Sequence, residues 1–170
     1  MKGDDNYFLS LSLTAITLTM TSKISEGVKI SVETFYQNDY SSPLDGEFMF
    51  AYRITIENKN DFPVKLHRRH WNIFESDGSN REVDGEGVVG VQPILKQGEK
   101  YQYVSGCNLR TEMGKMSGFY QMENLHSKNL FEVKIPAFEM MVFHLIEATH
   151  FSHFSSQVAA AYILIFFSLF

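Results

Sequence analysis

Hydrophobic and polar residues alternate with a period of two through the middle of the chain, which is the pattern of β-strands with one buried face. An early run places Val28, Ile30 and Val32 on one face. The clearest run places on one face Phe48, Phe50, Tyr52, Ile54 and Ile56. Further runs occupy residues 64–66, 70–75, 101–105, 119–123 and 130–141. The middle of the chain therefore reads as a series of short strands.

Turn-forming residues separate these runs at the spacing found in sandwiches, for example at Asp77-Gly78 and at Gln97-Gly98. The pattern contains no long amphipathic helix. It predicts an all-β protein, namely an immunoglobulin/fibronectin-III-like antiparallel β-sandwich of about seven or eight strands. A small β-barrel is the second alternative. The segment from Ser105 to Gly118, which holds three glycines, is expected to form a shaped loop between two strands.

The two ends break the pattern. Residues 1–19 hold an apolar and hydroxylic stretch like that of a signal peptide, but Lys2 is outnumbered by Asp4 and Asp5, which is the wrong flank for export. We interpret residues 1–19 as an extension outside the domain, with Met20 as the true start. The domain is expected to span residues 20–142, followed by an apolar tail of residues 143–170.

The tail contains no Lys, Arg, Asp or Glu from Ala148 onward and closes on VAAAYILIFFSLF. That run is shorter than the roughly 20 residues that a membrane-spanning helix needs, so no membrane insertion is expected. The codons allowed for residues 143–147 include TTC CAT TTA ATT GAA, which in a shifted frame encodes Pro-Phe-Asn and a stop. We hypothesise that the tail is a frame-shifted product, and a gene whose alternative frame stays open past this point would contradict this.

Composition narrows the function classes. The 170 residues carry a net charge of -5, which argues against a nucleic-acid partner. Cys107 is the single cysteine, so an intrachain disulfide is excluded and a cytoplasmic location is expected. His67 and His70 lie three residues apart in an apparent strand, on opposite faces, which argues against joint chelation of a metal. We predict no metal site and no cofactor, and the oligomeric state stays open.

Residues 85–90 form a literal G-x-G-x-x-G motif with glycines Gly85, Gly87 and Gly90. In dinucleotide-binding folds this motif leaves a parallel strand and opens a helix, whereas Pro93 and β-branched residues follow it here. We interpret the glycines as serving a strand bend or an irregular loop. The alternative is a small anion cradle made of backbone N–H groups.

Arg68 and Arg69 belong to the one dense basic cluster, beside Trp71. Alternation places Arg68 on one face and Arg69 with Trp71 on the other. Arginine offers a planar fork to phosphate or carboxylate, so both arginines are candidates for anion or partner recognition, and Arg110 joins them if the loops meet. The alternative is that they are solvated or paired with carboxylates. Cys107 is interpreted as a buried, inert thiol rather than a nucleophile.

Several multi-residue motifs together resemble those of the bacterial ApaG proteins. They are FMFAYRITIEN at 48–58, RHW at 69–71, GEGVVGVQP at 85–93, YVSGC at 103–107 and GKMSG at 114–118. The resemblance runs from about Met20 to Val142 and implies a fibronectin-III-like β-sandwich. It also implies an association with cobalt tolerance and magnesium efflux, without an established enzyme activity. Related domains in eukaryotic F-box proteins and in a polymerase-interacting protein look like partner-binding modules.

The residues and the resemblance together predict a non-enzymatic β-sandwich that binds a protein partner or a small anionic ligand such as phosphate or pyrophosphate. The candidate binding residues are Arg68, Arg69, Gly85, Gly87, Gly90 and Arg110. No catalytic residue is assigned. The alternative is a nucleotide or phosphate-ester hydrolase acting on diadenosine polyphosphate-like substrates, with the three arginines neutralising charge in the transition state.

Overall fold

A computed structural model describes residues 19–143, and the predictions for residues 1–18 and 144–170 lie outside this part of the chain. The described part contains nine strands and two single-turn 3-10 helices. The strands are β1 (Thr19–Ser25), β2 (Val28–Tyr36), β3 (Phe48–Asn58), β4 (Val64–Glu75), β5 (Asn80–Glu86), β6 (Ile94–Leu95), β7 (Lys100–Leu109), β8 (Met113–Asn124) and β9 (Leu130–Met141). No helix in residues 19–143 is long and apolar enough to cross a membrane.

The strands form two antiparallel sheets that pack face to face. The first sheet has the order β1-β2-β3-β7, and the second has the order β5-β4-β8-β9 with β6 paired to β4. The arrangement is that of a fibronectin type III domain, in which a sheet of β2, β3 and β7 packs against a sheet of β5, β4, β8 and β9. Strand β1 and the two-residue β6 are additions to this arrangement. The predicted sandwich is confirmed, and the barrel alternative is not the observed fold.

Strands β2 and β3 follow the alternation that their sequences predict. Every second residue of β3 from Phe48 to Asn58 is buried, and Val28, Ile30 and Val32 of β2 are buried beside them. Asn58 is polar yet fully buried, and its side-chain amide donates hydrogen bonds to the backbone carbonyls of Phe62 and Leu95 at 2.8 and 3.0 Å. Burial of this group is tolerated because both N–H donors are satisfied.

Strand β4 is a single strand, although the sequence predicted two separate strands at residues 64–66 and 70–75. Leu66 pairs with Met122 but Arg68 pairs with Gln121, so β4 carries one extra residue, a β-bulge at His67. The bulge shifts the alternation by one residue. Leu66 and Trp71, five residues apart, are therefore both buried, whereas a regular strand would have placed them on opposite faces.

A second bulge lies in β9. Met116 of β8 pairs with Phe138, and Gly118 pairs with Ile135, so β9 has the extra residue near Pro136. Proline is compatible with this position because β9 is an edge strand and the bulge leaves a residue outside the hydrogen-bond ladder. Opposite the bulge, a Cβ on Gly118 would overlap the backbone carbonyl oxygen of His70.

Two sequence predictions about local structure are wrong. The segment from Ser105 to Gly118 is not a loop, because β7 continues to Leu109 and β8 begins at Met113. Strand β5 was not predicted, since six of its seven residues are exposed and it shows no hydrophobic alternation. It forms instead because the Asp77-Gly78 turn folds it back onto β4.

Trp71 lies at the centre of the core, between the two sheets. Its ring packs edge-on against Tyr52 of the first sheet and against Tyr120 and Phe138 of the second, at centroid distances of 5.8, 6.3 and 5.9 Å. The hydroxyls of Tyr103 and Tyr120 share a buried hydrogen bond of 2.6 Å that joins the sheets. These aromatic contacts fix how the two sheets face each other.

Gly118→Ala is expected to destabilise the domain by about 1–3 kcal/mol, because the new methyl group meets the rigid backbone of β4. Gly106→Ala is the matched control. Its Cβ would lie 3.6 Å from its nearest neighbours, and its free energy of unfolding should change by less than about 0.5 kcal/mol. Urea unfolding of the three proteins checks this, and equal stability of the two variants would contradict the close approach at Gly118.

Candidate functional site

The sandwich is closed along one side and open along the other. On the closed side β1 and β2 pack against β9, and the Thr34 hydroxyl donates a 3.2 Å hydrogen bond to the Glu139 carbonyl. On the open side the edge strands β7 and β5 border a cleft with a volume of about 440 Å³. This cleft leads from solvent towards Trp71 in the core.

Three arginines from separate places in the sequence line this cleft. They are Arg69 of β4, Arg81 of β5 and Arg110 in the connection between β7 and β8. The other lining residues are Tyr52, Trp71, Ile73, Val83, Ser105, Gly106, Cys107, Asn108 and Met116. Among these described residues, no carboxylate forms part of the lining, so the cleft is positively charged.

Arg69 lies on the same face of β4 as Trp71, two residues further on, and the bulge turns that face towards the core. Its guanidinium lies over Gly85, its partner across the ladder, where a Cβ would approach within 2.8 Å of the guanidinium carbon. Its Nη1 donates to the carbonyls of Glu86 and Gly87 at 3.1 and 2.8 Å. Gly85 therefore provides the space that Arg69 occupies, and Nε and Nη2 keep donors for a ligand.

Arg81 is the site residue that the sequence interpretation missed. Its Nη2 donates to the Asn108 carbonyl at 2.5 Å and to the Cys107 sulfur at 3.3 Å, and its Nη1 lies 3.5 Å from a carboxylate oxygen of Glu75. A hairpin folded at Asp77-Gly78 places Arg81 opposite Ile73, on the inner face. The Asp77-Gly78 turn is the feature of the sequence from which this position of Arg81 could have been predicted.

Arg110 lies at the outer end of the cleft. Its backbone N–H donates to the buried carboxylate of Glu75 at 2.6 Å, while its guanidinium forms no ion pair within residues 19–143. Glu75 thus anchors both Arg81 and the backbone of Arg110, and its carboxylate offsets part of the guanidinium charge. The cleft retains excess positive charge.

Trp71 and Tyr52 form part of the inner wall of the cleft. The indole nitrogen Nε1 of Trp71 is buried and has no hydrogen-bond partner among the described residues. Burial raises the pKa of the Tyr52 hydroxyl, and a hydrogen bond with Ser105 partly opposes this rise. Tyr52 consequently stays protonated at neutral pH. A buried donor without an acceptor among the described residues is rare in proteins.

The remaining candidate residues do not join this cleft. Arg68 is on the outer face of β4, where its guanidinium lies 3.7 Å from the carboxylate of Glu86. Alternation predicted this separation of Arg68 from Arg69. Gly87 and Gly90 lie after β5, with φ angles of +57° and +77°, and they shape the turn of residues 88–91.

That turn is a poor anion cradle. The N–H groups of Gly87, Val88 and Val91 already donate to backbone carbonyls, at 2.7, 2.8 and 3.0 Å respectively. Gly87 is required because a Cβ there would overlap the carbonyl oxygen of Val91. Gly85 thus leaves room for the Arg69 guanidinium, and Gly87 and Gly90 form a tight turn. These roles agree with the interpretation of the three glycines as structural residues.

His67 and His70 both face outward because of the bulge, and their predicted placement on opposite faces is wrong. They nevertheless bind different carboxylates, Glu123 at 2.8 Å and Asp84 at 3.0 Å. Within residues 19–143, no group of three or more His, Cys, Asp or Glu side chains is arranged to hold a metal ion.

Cys107 is buried, as the sequence interpretation expected. Burial raises the pKa of its thiol, although the Arg81 guanidinium opposes the rise. The thiol therefore stays protonated at neutral pH, and a protonated thiol is a weak nucleophile.

Two antiparallel sheets with an arginine-lined cleft between their free edges define a fibronectin-III-like β-sandwich. The family model for the ApaG domain matches residues 38–124. The ApaG protein of Brucella anthropi is 45% identical over 117 residues, which cover 69% of this chain and 89% of that protein. The ApaG protein of Paramagnetospirillum magneticum is 44% identical over 121 residues, covering 71% and 92%. The chain belongs to the ApaG family.

Solved structures show the same fold. A crystal structure of a Bordetella pertussis protein called ApaA superposes with a TM-score of 0.66 at 34% identity, covering 75% of this chain and 97% of that one. The X-ray structure of a structural-genomics target gives a TM-score of 0.66 at 36% identity, covering 76% and 97%. These relatives match the sandwich over nearly their whole length.

The buried hydroxyls and thiol predict loss of stability at alkaline pH. Burial raises the pKa values of Tyr52, Tyr103, Tyr120 and Cys107 above their ordinary values of 10.0 and 9.0. The native state then holds protons that the unfolded chain releases, so the contribution of these four groups to the free energy of unfolding is constant below about pH 8 and falls above about pH 9. Urea unfolding from pH 7 to 11 measures this. Titration of all eight tyrosines near pH 10 in the native protein would contradict it.

Proposed function

We propose that this protein is a non-enzymatic binding module whose site is the cleft between the sheets, and that this cleft binds an anionic group of the phosphate or carboxylate type. The observation that carries the proposal is the convergence of Arg69, Arg81 and Arg110 on one cleft whose described lining residues include no carboxylate. Arginine forks are suited to oxyanions because they donate two parallel hydrogen bonds.

The donors that remain on the arginines support this proposal. Arg69 uses only Nη1 for its carbonyl contacts, and Arg110 has no ion-pair partner in the described part of the chain. A ligand oxyanion can therefore bind without first breaking an ion pair of either side chain. A hydrogen bond to a charged group contributes about 1.5–3 kcal/mol. A few such bonds from the arginines are enough for an anion to displace water from the cleft.

The hydrolase alternative lacks support from the cleft. No histidine, aspartate or glutamate is among its described lining residues, and burial keeps Cys107 protonated, so no group there is placed to activate a nucleophile. A cytoplasmic location remains a proposal that the single cysteine motivates, and a protein partner and a link to cobalt or magnesium homeostasis remain proposals that the ApaG resemblance motivates.

Titration of the purified protein with inorganic pyrophosphate tests the proposal by calorimetry. Arg69→Gln should weaken binding by about tenfold or more, because it removes a charged donor from the cleft. Arg68→Gln is the matched control, since it makes the same chemical change at the adjacent residue on the outer face, and it should leave the affinity within about twofold.

Three outcomes would contradict this assignment. Absence of binding to pyrophosphate, phosphate and a dicarboxylate alike would contradict the anion site. Equal effects of the two arginine substitutions would place any binding outside the cleft. Release of phosphate from diadenosine tetraphosphate by the wild-type protein, lost in Arg69→Gln, would favour the hydrolase instead.

A further inference from the structure

The edge of β7 beside the cleft has no neighbouring strand within residues 19–143. The Asn58 N–H donates to the Glu99 carbonyl at 3.1 Å. Together with the register of β3 and β7, this bond shows which residues of β7 form hydrogen bonds with β3. Odd-numbered residues of β7 therefore bond to β3, and even-numbered residues direct their N–H and C=O groups to the open edge. The Asn108 carbonyl confirms this direction, because it accepts from Arg81 across the mouth of the cleft.

This edge lacks most of the devices that normally prevent strand addition. Strand β7 is ten residues long, it contains no proline, and its ladder to β3 is regular throughout. Val104 is 58% exposed at its middle, and Gly106 offers no side chain to obstruct a neighbouring strand. An exposed sheet edge of this kind can accept an extended chain as a further strand.

We propose that the ligand of the cleft is an acidic segment of a partner protein, which adds to β7 as an extended strand and places an aspartate or glutamate carboxylate among Arg69, Arg81 and Arg110. This inference rests on the proposed function of the cleft. Two independent features support this kind of partner: the edge of β7 has no neighbouring strand, and the cleft beside it is positively charged.

The geometry links the two features. An added strand lies about 4.8 Å from β7, and every second side chain of such a strand points to the inner side of the sheet. On that inner side lie Ser105 and Cys107 of β7, which line the cleft. An inward carboxylate therefore enters the cleft, whereas the outward side chains lie beside Val104.

Charge selects β7 over the other free edge at the cleft. Strand β5 directs Glu82, Asp84 and Glu86 to the outer face, so acidic residues on the outward side of a strand added there would meet repulsion. Strand β7 carries no acidic residue from Lys100 to Leu109. The acidic segment is thus steered to β7.

The test uses a synthetic capped octapeptide of alternating threonine and valine with one central glutamate, and its glutamine counterpart. Hydrogen exchange of the wild-type protein is followed by NMR. With the glutamate peptide, the amides of Gln102, Val104 and Gly106 should exchange at least about tenfold more slowly, because they become donors to the added strand. Pyrophosphate, which forms no ladder, should leave these three amides unprotected.

Val104→Pro removes one edge N–H without removing a bond to β3, and Val104→Ala keeps that N–H while shortening the side chain. Binding of the glutamate peptide should weaken by about tenfold or more in Val104→Pro and by less than about threefold in Val104→Ala. The Val104→Pro variant should still bind pyrophosphate, which shows that the cleft remains folded.

The outcomes separate the two proposals. Pyrophosphate binding without protection of the edge amides by the peptide would overturn strand addition and leave the anion site standing. Equal affinity for the glutamate and glutamine peptides would overturn the role of the carboxylate. Failure of both pyrophosphate and peptide to bind would overturn the proposed function itself.

Discussion

The bulge at His67 in β4 is the constraint on which the rest of the structure depends. A regular strand cannot bury both Leu66 and Trp71, because alternate side chains point to opposite faces. One extra residue shifts the alternation and turns Trp71 into the core, where it contacts aromatic rings of both sheets. The same shift turns Arg69 inward and leaves Arg68 outside. The bulge thereby decides both how the sheets pack and which arginine reaches the cleft.

The asymmetry of the sandwich follows from its edges. Strand β9 covers β1 and β2 on one side, whereas β5 and β7 leave the other side open, so the positive side chains there are not neutralised by a facing strand. Glu75 offsets part of the charge and holds the backbone of Arg110 in place. Gly85 leaves the space that the Arg69 guanidinium occupies. The cleft is consequently built by ordinary structural residues, and its positive charge comes from the three guanidinium groups.

The sequence predicted the fold well where alternation was strong. The β3 pattern and the bounds of β9 correspond to the observed strands, and the ApaG motifs indicated the sandwich directly. Prediction was weaker where alternation was interrupted. The bulge divided β4 into two apparent strands, and the glycines and polar residues of β7 and β8 suggested a loop, because their strand structure is imposed by pairing with neighbours. Strand β5, which is almost wholly exposed, carries no periodic signal of its own.

By itself, the sequence determined the class of fold, the family, the burial of Cys107 and the opposite directions of Arg68 and Arg69. These properties follow from local alternation and from motifs that are contiguous in the chain. Only the tertiary structure decided that Arg69 meets Arg81 and Arg110 while Arg68, Gly87 and Gly90 stay outside the cleft. The physical reason is that a cleft between two sheets joins residues distant in sequence. Their convergence depends on strand order, on a one-residue bulge and on which edges remain open.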